Sequence, residues 1–463
     1  MKQAIKAIVF ALLTAGLIYC AYGIYSWKDT SGDYLSSTQQ LYHTPENTMD
    51  VVFVGSSHCY CTIYPALLWE RSGIAAFDMA TSGQDKASSY HVLAELLKTQ
   101  SPKTVWVDLY GLLLERQGIE GNTYRNMLAL RTSRNSLELI REYVEPERRM
   151  DFYLKWPIVH TRFWEIGKYD FVPYEPSQYG RGAVYQWGQE AVEAGEYETD
   201  EAGELTEVNR NWLERLRSLS EKEGFDLCFF VAPFRISGEE QKQINAARDY
   251  AKAQGIPFYD FNKMAKDLDL DYQKDFRESF HLNAYGAEKV TEFVRTCLLE
   301  RGDLADQRGR KGYEAWDLDL EWYRHLELYE TLSAPKEAKD YVEALANAQD
   351  VMTIVCVEGV PADEAEEKAA ILAPLGITRE DVLAGGKWII RNGEKRKALE
   401  PGPEKAEYWE DLNSFDVLRL RSGEKPSAED LMINYDGYLR EDVPVTILPY
   451  DLFLKETFPA TGF

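Results

Sequence analysis

The chain has 463 residues and a net charge of −25, with 45% hydrophobic and 13% aromatic residues. This length exceeds one ordinary domain, and the apolar content supplies ample core, which excludes a globally disordered protein. The strong acidity excludes nucleic acid as a partner, because nucleic-acid binding needs a basic face. The six cysteines are scattered without a metal-type spacing, so we expect neither a metal nor another cofactor.

The N-terminal region contains a stretch without charge, Ala7–Trp27. As a helix it would be about 31 Å long, enough to cross the core of a bilayer. It ends in tyrosine and tryptophan, which favours an uncleaved anchor over a signal peptide. Lys2 and Lys6 precede it, so the positive-inside rule predicts a cytoplasmic N-terminus and an extracellular remainder. We therefore predict a single-pass protein of the cell membrane, with its tip and anchor at 1–27 and a polar stalk at 28–47.

From residue 48 onwards, short apolar runs alternate with helical patterns, which predicts an α/β domain at 48–301 with a parallel sheet flanked by helices. The predicted strands are Val51–Val54, Thr104–Leu109, Leu227–Val231 and Pro257–Asp260, and Ala75–Met79 is a further short apolar run followed by a turn. The predicted helices are Ser88–Lys98, Asn211–Lys222, Gln241–Ala253 and one that begins near Asn283 and ends near Leu299.

An aromatic and charged stretch at 112–205 interrupts this alternation. Insertions of this size beside a sheet often shape a substrate cleft, and a helical cap with its own core is the alternative. Among its polar residues, we single out Arg162 and His160 as candidate substrate-binding side chains. A charged helical connector follows at 302–335.

The C-terminal residues 336–463 predict a small α+β domain. Helices are expected at Lys339–Ala346 and Ala362–Leu372, and strands at Met352–Val357, Trp388–Arg391, Phe415–Leu420, Leu431–Tyr435 and Val443–Leu448. This region contains no histidine, because the last one in the chain is His325. A role in binding a glycan or a protein partner therefore suits it better than hydrolysis.

Two distant segments contain the parts of an activated serine. Val51–Cys59 reads VVFVGSSHC, which places serines directly after a buried strand, where open α/β sheets form their sites. Glu278–Gly286 reads ESFHLNAYG and supplies an imidazole, His281, with a carboxylate three residues before it. A hydroxyl, an imidazole as base and a carboxylate that orients it are what nucleophilic catalysis by serine requires. The pattern leaves Ser56 or Ser57 as the nucleophile, and Glu278 or Asp275 as the acid.

These motifs resemble those of the SGNH/GDSL hydrolase superfamily. Gly55-Ser56-Ser57-His58 is similar to the block with the Gly-Asp-Ser nucleophile, and this resemblance implies Ser57. Glu278-Ser279-Phe280-His281 resembles the final Asp-x-x-His block, with glutamate in place of aspartate. Ala80–Gln84 resembles the second block, which implies Gly83 as an oxyanion donor. The third block usually offers an asparagine, whereas Thr104–Gly111 offers none.

Within that superfamily, the anchor and the phrase DVVFVGSSH look like those of the DltD-like and AlgX/AlgJ-like proteins. The resemblance covers about residues 45–300. It implies a serine O-acyltransferase, with acetyl as the expected group, that acts on a cell-surface polysaccharide or teichoic-acid-like polymer together with a multi-spanning membrane-bound O-acyltransferase. An esterase that removes such groups and a non-catalytic surface adaptor are the alternatives. Asp430–Asp451 weakly resembles part of the interleukin-like EMT-inducer domain.

Overall fold

The computed structural model describes residues 2–26, 36–114, 127–171, 179–334, 337–402, 406–423 and 425–463. The chain divides into two compact units, residues 1–320 and residues 321–463. The predicted domain limits stay predictions. Residues 115–126 and 172–178 of the predicted insertion, and residues 27–35 of the predicted anchor and stalk, lie outside the described residues.

The helices in chain order are α1 Lys2–Tyr25, α2 Ser36–His43, α3 Ser57–Tyr60, α4 Pro65–Ser72, α5 Lys86–Leu96, α6 Arg134–Tyr143, α7 Arg149–Leu154, α8 Trp156–Val159, α9 Glu207–Glu223, α10 Gly238–Gln254, α11 Ala284–Glu300, α12 Glu314–Ser333, α13 Ala338–Ala346, α14 Ala365–Leu372 and α15 Arg379–Ala384. Short 3-10 helices lie at Leu109–Leu112, Pro146–Arg148, His160–Trp164, Lys168–Phe171, Ala373–Leu375 and Ala428–Asp430.

The strands of the first unit are β1 Val51–Gly55, β2 Ala76–Ala80, β3 Thr104–Asp108, β4 Asp226–Val231, β5 Phe258–Asp260, β6 Phe276–Glu278 and β7 His281–Leu282. Those of the second unit are β8 Val351–Val357, β9 Gly386–Arg391, β10 Glu394–Leu399, β11 Glu407–Asp411, β12 Val417–Arg421, β13 Leu431–Ile433, β14 Asp436–Gly437, β15 Val445–Asp451, β16 Glu456–Thr457 and β17 Thr461–Gly462.

The first unit is built on a five-stranded parallel sheet in the order β2-β1-β3-β4-β5. Side chains of β1 alternate between two cores: Val52 and Val54 pack on one face of the sheet, while Val51 and Phe53 pack on the other. Both faces are buried because helices cover both, which explains why the strand is a continuous apolar run. The strand order reverses direction between β1 and β3, and in such sheets ligands bind at the carboxyl ends of the strands at that point.

The N-terminal helix α1 does not pack on this sheet as a buried helix. It has 24 residues, a mean hydropathy of 2.1 over its most apolar window, and no buried residue. Among the described residues, it is the one helix long and apolar enough to cross a membrane. An apolar surface of this size exposed along a whole helix is not stable in water, so α1 is a candidate membrane anchor.

The second unit contains antiparallel sheets. Five of its strands follow the order β10-β9-β8-β15-β16, with β17 also paired to β15, and a four-stranded sheet has the order β11-β12-β13-β14. One apolar core lies between the first sheet and helices α13 to α15, and a second core contains side chains of both sheets. This unit is therefore a three-layer α+β structure.

Candidate active site

The chain turns sharply at the carboxyl end of β1. Gly55 ends the strand, Ser56 caps the next helix and Ser57 is the first residue of α3. A Cβ atom at Gly55 would lie 2.6 Å from Cβ of Asp108 and 2.8 Å from Cβ of Cys59, closer than carbon atoms can approach. Glycine is therefore required there, because the turn passes directly over the end of β3.

The two serines of this turn have different environments. Ser56 is 1% exposed, and its hydroxyl accepts a hydrogen bond from the backbone N–H of His58 at 3.3 Å. Ser57 is partly exposed, and its Oγ lies 2.7 Å from Nε2 of His281. Of the two serines left open by the sequence, the structure therefore brings Ser57 to the imidazole and uses Ser56 as a helix cap.

The imidazole and its carboxylate are held by a small hairpin formed by β6 and β7. Glu278 and His281 are directly opposite each other in this hairpin, and Nδ1 of His281 is hydrogen-bonded to Oε1 of Glu278. The second oxygen, Oε2, accepts a hydrogen bond from the backbone N–H of Phe280 at 2.8 Å. Both oxygens of Glu278 therefore accept hydrogen bonds, which fixes the carboxylate beside the ring.

The alternative acid, Asp275, has other partners. It is 3% exposed, forms an ion pair with Nζ of Lys289 at 2.7 Å and accepts a hydrogen bond from the backbone N–H of Asp271 at 2.7 Å. It therefore supports the loop before the hairpin, while Glu278 contacts the imidazole. Asn283 caps α11 directly after the hairpin, as expected, by accepting from the N–H groups of Tyr285 and Gly286.

A second histidine packs beside the pair and was not singled out from the sequence. His58 is 2% exposed and stacks on Tyr110 with ring centroids 3.6 Å apart, and its ring centroid is 4.9 Å from that of Phe234 and 5.1 Å from that of His281. Burial first, and the nearby His281 second, hold the pKa of His58 well below its usual range. His58 is therefore neutral at physiological pH, and its position directly after Ser57 was the available signal.

A buried carboxylate lies under the serine turn. Asp108 ends β3 and is 1% exposed, and its Oδ1 accepts from the backbone N–H of Tyr110 at 3.3 Å. Burial raises its pKa to about 7, although hydrogen bonds from Tyr110, Ala232 and Ser56 oppose this shift. Asp108 and Tyr110 occupy the stretch where the resemblance would have placed an asparagine, and they support Ser56 and His58.

The predicted oxyanion donor lies at the same edge of the sheet. Gly83 follows β2, whose last residue Ala80 pairs with Gly55, and it has a φ of +59°, a conformation that favours glycine. Gln84 holds this turn by accepting from the Thr81 hydroxyl at 3.0 Å and donating to the Met79 carbonyl at 3.1 Å. The role of the Gly83 N–H stays a prediction.

The two predicted substrate-binding residues lie in the 3-10 helix His160–Trp164. Arg162 is 8% exposed, and its guanidinium donates to the backbone carbonyls of Tyr25 and Ser26 at 2.8 and 2.7 Å. It is also paired with Glu165 and Asp170. His160 is exposed. The contacts of Arg162 therefore join the insertion to the end of α1, and a role of either residue in substrate binding stays a prediction.

Together, Ser57, His281 and Glu278 can perform nucleophilic catalysis. Glu278 accepts a hydrogen bond from the Nδ1–H of His281, which leaves Nε2 unprotonated as the acceptor for the Ser57 hydroxyl proton. The resulting imidazolium would be stabilised by the adjacent carboxylate. No protein-family model matches the chain, and no curated protein is significantly similar to it.

Proposed function

We propose that this protein is a membrane-anchored serine enzyme of the SGNH type that transfers acyl groups. The observation that carries the proposal is the chain of contacts from Ser57 Oγ to His281 Nε2, at 2.7 Å, and from His281 Nδ1 to Glu278. It supports an enzyme over a non-catalytic adaptor, because an adaptor has no need to hold a partly exposed serine against an oriented imidazole at the end of a sheet.

In the proposed reaction, Ser57 Oγ attacks the acyl carbon while His281 Nε2 takes its proton. The oxygen of the tetrahedral intermediate would be stabilised by the backbone N–H groups of Ser57 and Gly83. His281 then returns the proton to the leaving oxygen, and an acyl-serine remains. In the second half, His281 takes a proton from the acceptor hydroxyl, whose oxygen attacks the acyl-serine. His281 then returns this proton to Ser57 Oγ as the bond between the acyl carbon and Oγ breaks, which releases the acylated product and the free serine.

The proposed substrates follow from the resemblance of the motifs to DltD-like and AlgX/AlgJ-like proteins. The acyl group is proposed to be acetyl, and the acceptor a hydroxyl of a cell-surface polysaccharide or teichoic-acid-like polymer. With a cytoplasmic N-terminus, as Lys2 and Lys6 predict, the serine would face the outside. The second unit, with its resemblance to the interleukin-like EMT-inducer domain, would bind the glycan or a protein.

A carbohydrate esterase is the second candidate, since it would use the same three residues and differ only in accepting water. Incubation of the purified chain with an activated acetyl ester, with and without a glycan acceptor, separates the two. A transferase gives acetylated glycan, and an esterase gives only acetate. If Ser57→Ala retains full turnover in either case, the proposed nucleophile is wrong.

We also propose a multi-spanning membrane-bound O-acyltransferase as partner. Activated acyl donors are made in the cytoplasm, while the proposed topology places Ser57 outside, so another protein must carry the group across the membrane. Deletion of a candidate partner encoded next to this protein should abolish the glycan acetylation that depends on Ser57. Continued acetylation after the deletion would contradict the partnership and favour an enzyme that takes its acyl group from an external ester.

A further inference from the structure

The described part of the insertion exposes large apolar side chains on neighbouring short helices. They come from α7, from the 3-10 helix His160–Trp164 and from the 3-10 helix that ends at Phe171. We call them the apolar face: Met150, Leu154, Phe163, Trp164 and Phe171. Trp164 is 85% exposed and Phe171 is 67% exposed, and the rings of Phe163 and Trp164 contact each other at 4.4 Å. Large apolar side chains left exposed within one segment of the chain, two of them in ring contact, indicate a candidate interaction surface.

This region is attached to the end of α1. The guanidinium of Arg162 donates to the carbonyl of Tyr25, the last residue of α1, and to that of Ser26 directly after it. Carbonyl groups at the C-terminal end of a helix favour a positive charge. The Tyr25 ring contacts the Trp156 ring at 5.3 Å. Phe163 and Trp164 directly follow Arg162 in the chain, so this part of the apolar face lies next to the contact between Arg162 and the C-terminal end of α1.

The exposure of α1 changes near its C-terminal end. Residues 2–20 are exposed throughout, whereas Ala21, Tyr22 and the residues from Ile24 to Ser26 are half-buried against the protein. A helix of 24 residues is about 36 Å long, slightly more than the hydrocarbon core of a bilayer. If α1 spans a membrane, Tyr25 therefore lies at the membrane–water interface, and Arg162 lies there with it.

We propose that the apolar face inserts into the interfacial layer of the leaflet from which α1 emerges, as a second membrane contact besides the anchor. This proposal depends on α1 as a membrane anchor and is independent of the proposed enzyme activity. Tryptophan and phenylalanine are suited to this layer, because their rings enter the acyl boundary while polar neighbours remain in the headgroups. The contact would fix the orientation of the first unit on the membrane surface.

The position of the face favours lipid over a protein as the occupant. Arg162 joins the face to the last turn of the helix, so lipids around α1 adjoin Phe163 and Trp164 without any further component. The charge of Arg162, directly before Phe163 and Trp164 in the chain, is already paired with Glu165 and Asp170. Insertion of these two rings therefore does not require Arg162 to be buried as an unpaired charge.

Quenching of tryptophan fluorescence by lipids tests the proposal on the full chain. The protein is incorporated alone into nanodiscs that contain a lipid with a nitroxide near the top of its acyl chain. The emission of Trp164 is obtained by subtracting the fluorescence of Trp164→Phe from that of the native chain. Leu299→Trp serves as the matched control, because Leu299 is 45% exposed at the end of α11 in the same unit. Both positions are exposed, so neither substitution should disturb folding.

We expect the nitroxide lipid to reduce the Trp164 emission by about twofold or more, as for interfacial tryptophans, and to leave the emission added by Leu299→Trp unchanged. Arg162→Ala, which releases the segment from α1, should weaken the quenching of Trp164. The proposal is wrong if Trp164 is quenched no more than the control. It is also wrong if Trp164 becomes shielded only when a second membrane protein is added to the nanodisc, since that protein would then be the occupant.

Discussion

Replacement of Glu278 by glutamine should disable the imidazole while preserving its surroundings. One oxygen of Glu278 accepts from the backbone N–H of Phe280, and the other contacts Nδ1 of His281. In Glu278→Gln, the amide oxygen should keep the Phe280 N–H, because an NH₂ group there would face another donor. The NH₂ group then faces Nδ1, which must become an acceptor, so the proton moves to Nε2. His281 in this tautomer cannot take the proton of Ser57.

A wrong tautomer in a Ser-His-acid site costs up to about 10⁴-fold in turnover. The side chain of Glu278 is 33% exposed, so water can partly substitute for it. We therefore expect a loss of about 10³-fold, which corresponds to about 4 kcal/mol in the activation free energy.

The assay is hydrolysis of an activated acetyl ester by the full chain, with Asp275→Asn as the matched control. Asp275 contacts Lys289 and the Asp271 N–H rather than the imidazole, so its replacement should lower thermal stability but change the activity of the folded protein less than about tenfold. If Asp275→Asn loses about a thousandfold and Glu278→Gln stays within tenfold, the reasoning is refuted and Asp275 is the acid.

Three further predictions concern the groups around the serine turn. Gly55→Ala should reduce the free energy of unfolding by about 1–3 kcal/mol and also reduce activity, because the added Cβ would lie 2.6 Å from Asp108 Cβ. The control is Gly402→Ala, whose added Cβ would have no atom within 4 Å. Equal effects of the two substitutions would contradict the steric argument. Because the pKa of Asp108 is raised from 3.8 to about 7 in the folded chain, the folded state favours the protonated carboxyl group. The stability that Asp108 contributes is therefore complete below pH 3.8 and is lost as the pH rises through 7. The native chain should therefore lose stability relative to Asp108→Asn as the pH rises: the unfolding free energy of the variant minus that of the native chain should increase by about 3 kcal/mol between about pH 5 and 8. A difference that stays constant over this range would refute the prediction. The lowered pKa of His58 means that its contribution is present above pH about 6.5 and is lost on acidification, so His58→Phe should unfold with less acid sensitivity than the native chain, and equal sensitivity would contradict a buried neutral ring.

The first unit was largely predictable from the sequence because its strands are buried on both faces. Val51–Val54 and Leu227–Val231 are continuous apolar runs, and both lie within strands of the parallel sheet. In the second unit, β10 and β11 were missed. Four of the six residues in Glu394–Leu399 are charged, and Glu407–Asp411 alternates between exposed and half-buried side chains, so neither has a long apolar run. Edge strands of this kind are determined by pairing with a neighbour, which a local pattern does not contain.

The residue types of the site were predictable from the sequence, whereas the residues alone left two alternatives each for the nucleophile and the acid. The motifs pointed to His281 and to a serine after β1, because both chemistry and position in an α/β sheet require them there. The residues alone left Ser56 and Ser57 open, and only the motif resemblance favoured Ser57. The structure distinguishes them by contacts with distant or folded parts of the chain, since Ser57 Oγ lies 2.7 Å from His281 Nε2 while Ser56 caps α3. The binding of Arg162 to the end of α1 joins segments that are 136 and 137 residues apart, and no local spacing predicts it.

The measurement that tests the central claim most directly is the detection of an acyl group on Ser57. The full chain is mixed with an activated acetyl ester, quenched with acid, and examined as the intact protein and as peptides by mass spectrometry. We predict one added acetyl group, located on Ser57, that accumulates in Ser56→Ala as well as in the native chain and is absent from Ser57→Ala. Turnover of the ester without any acetyl group on Ser57, or the same labelling in Ser57→Ala, would contradict it.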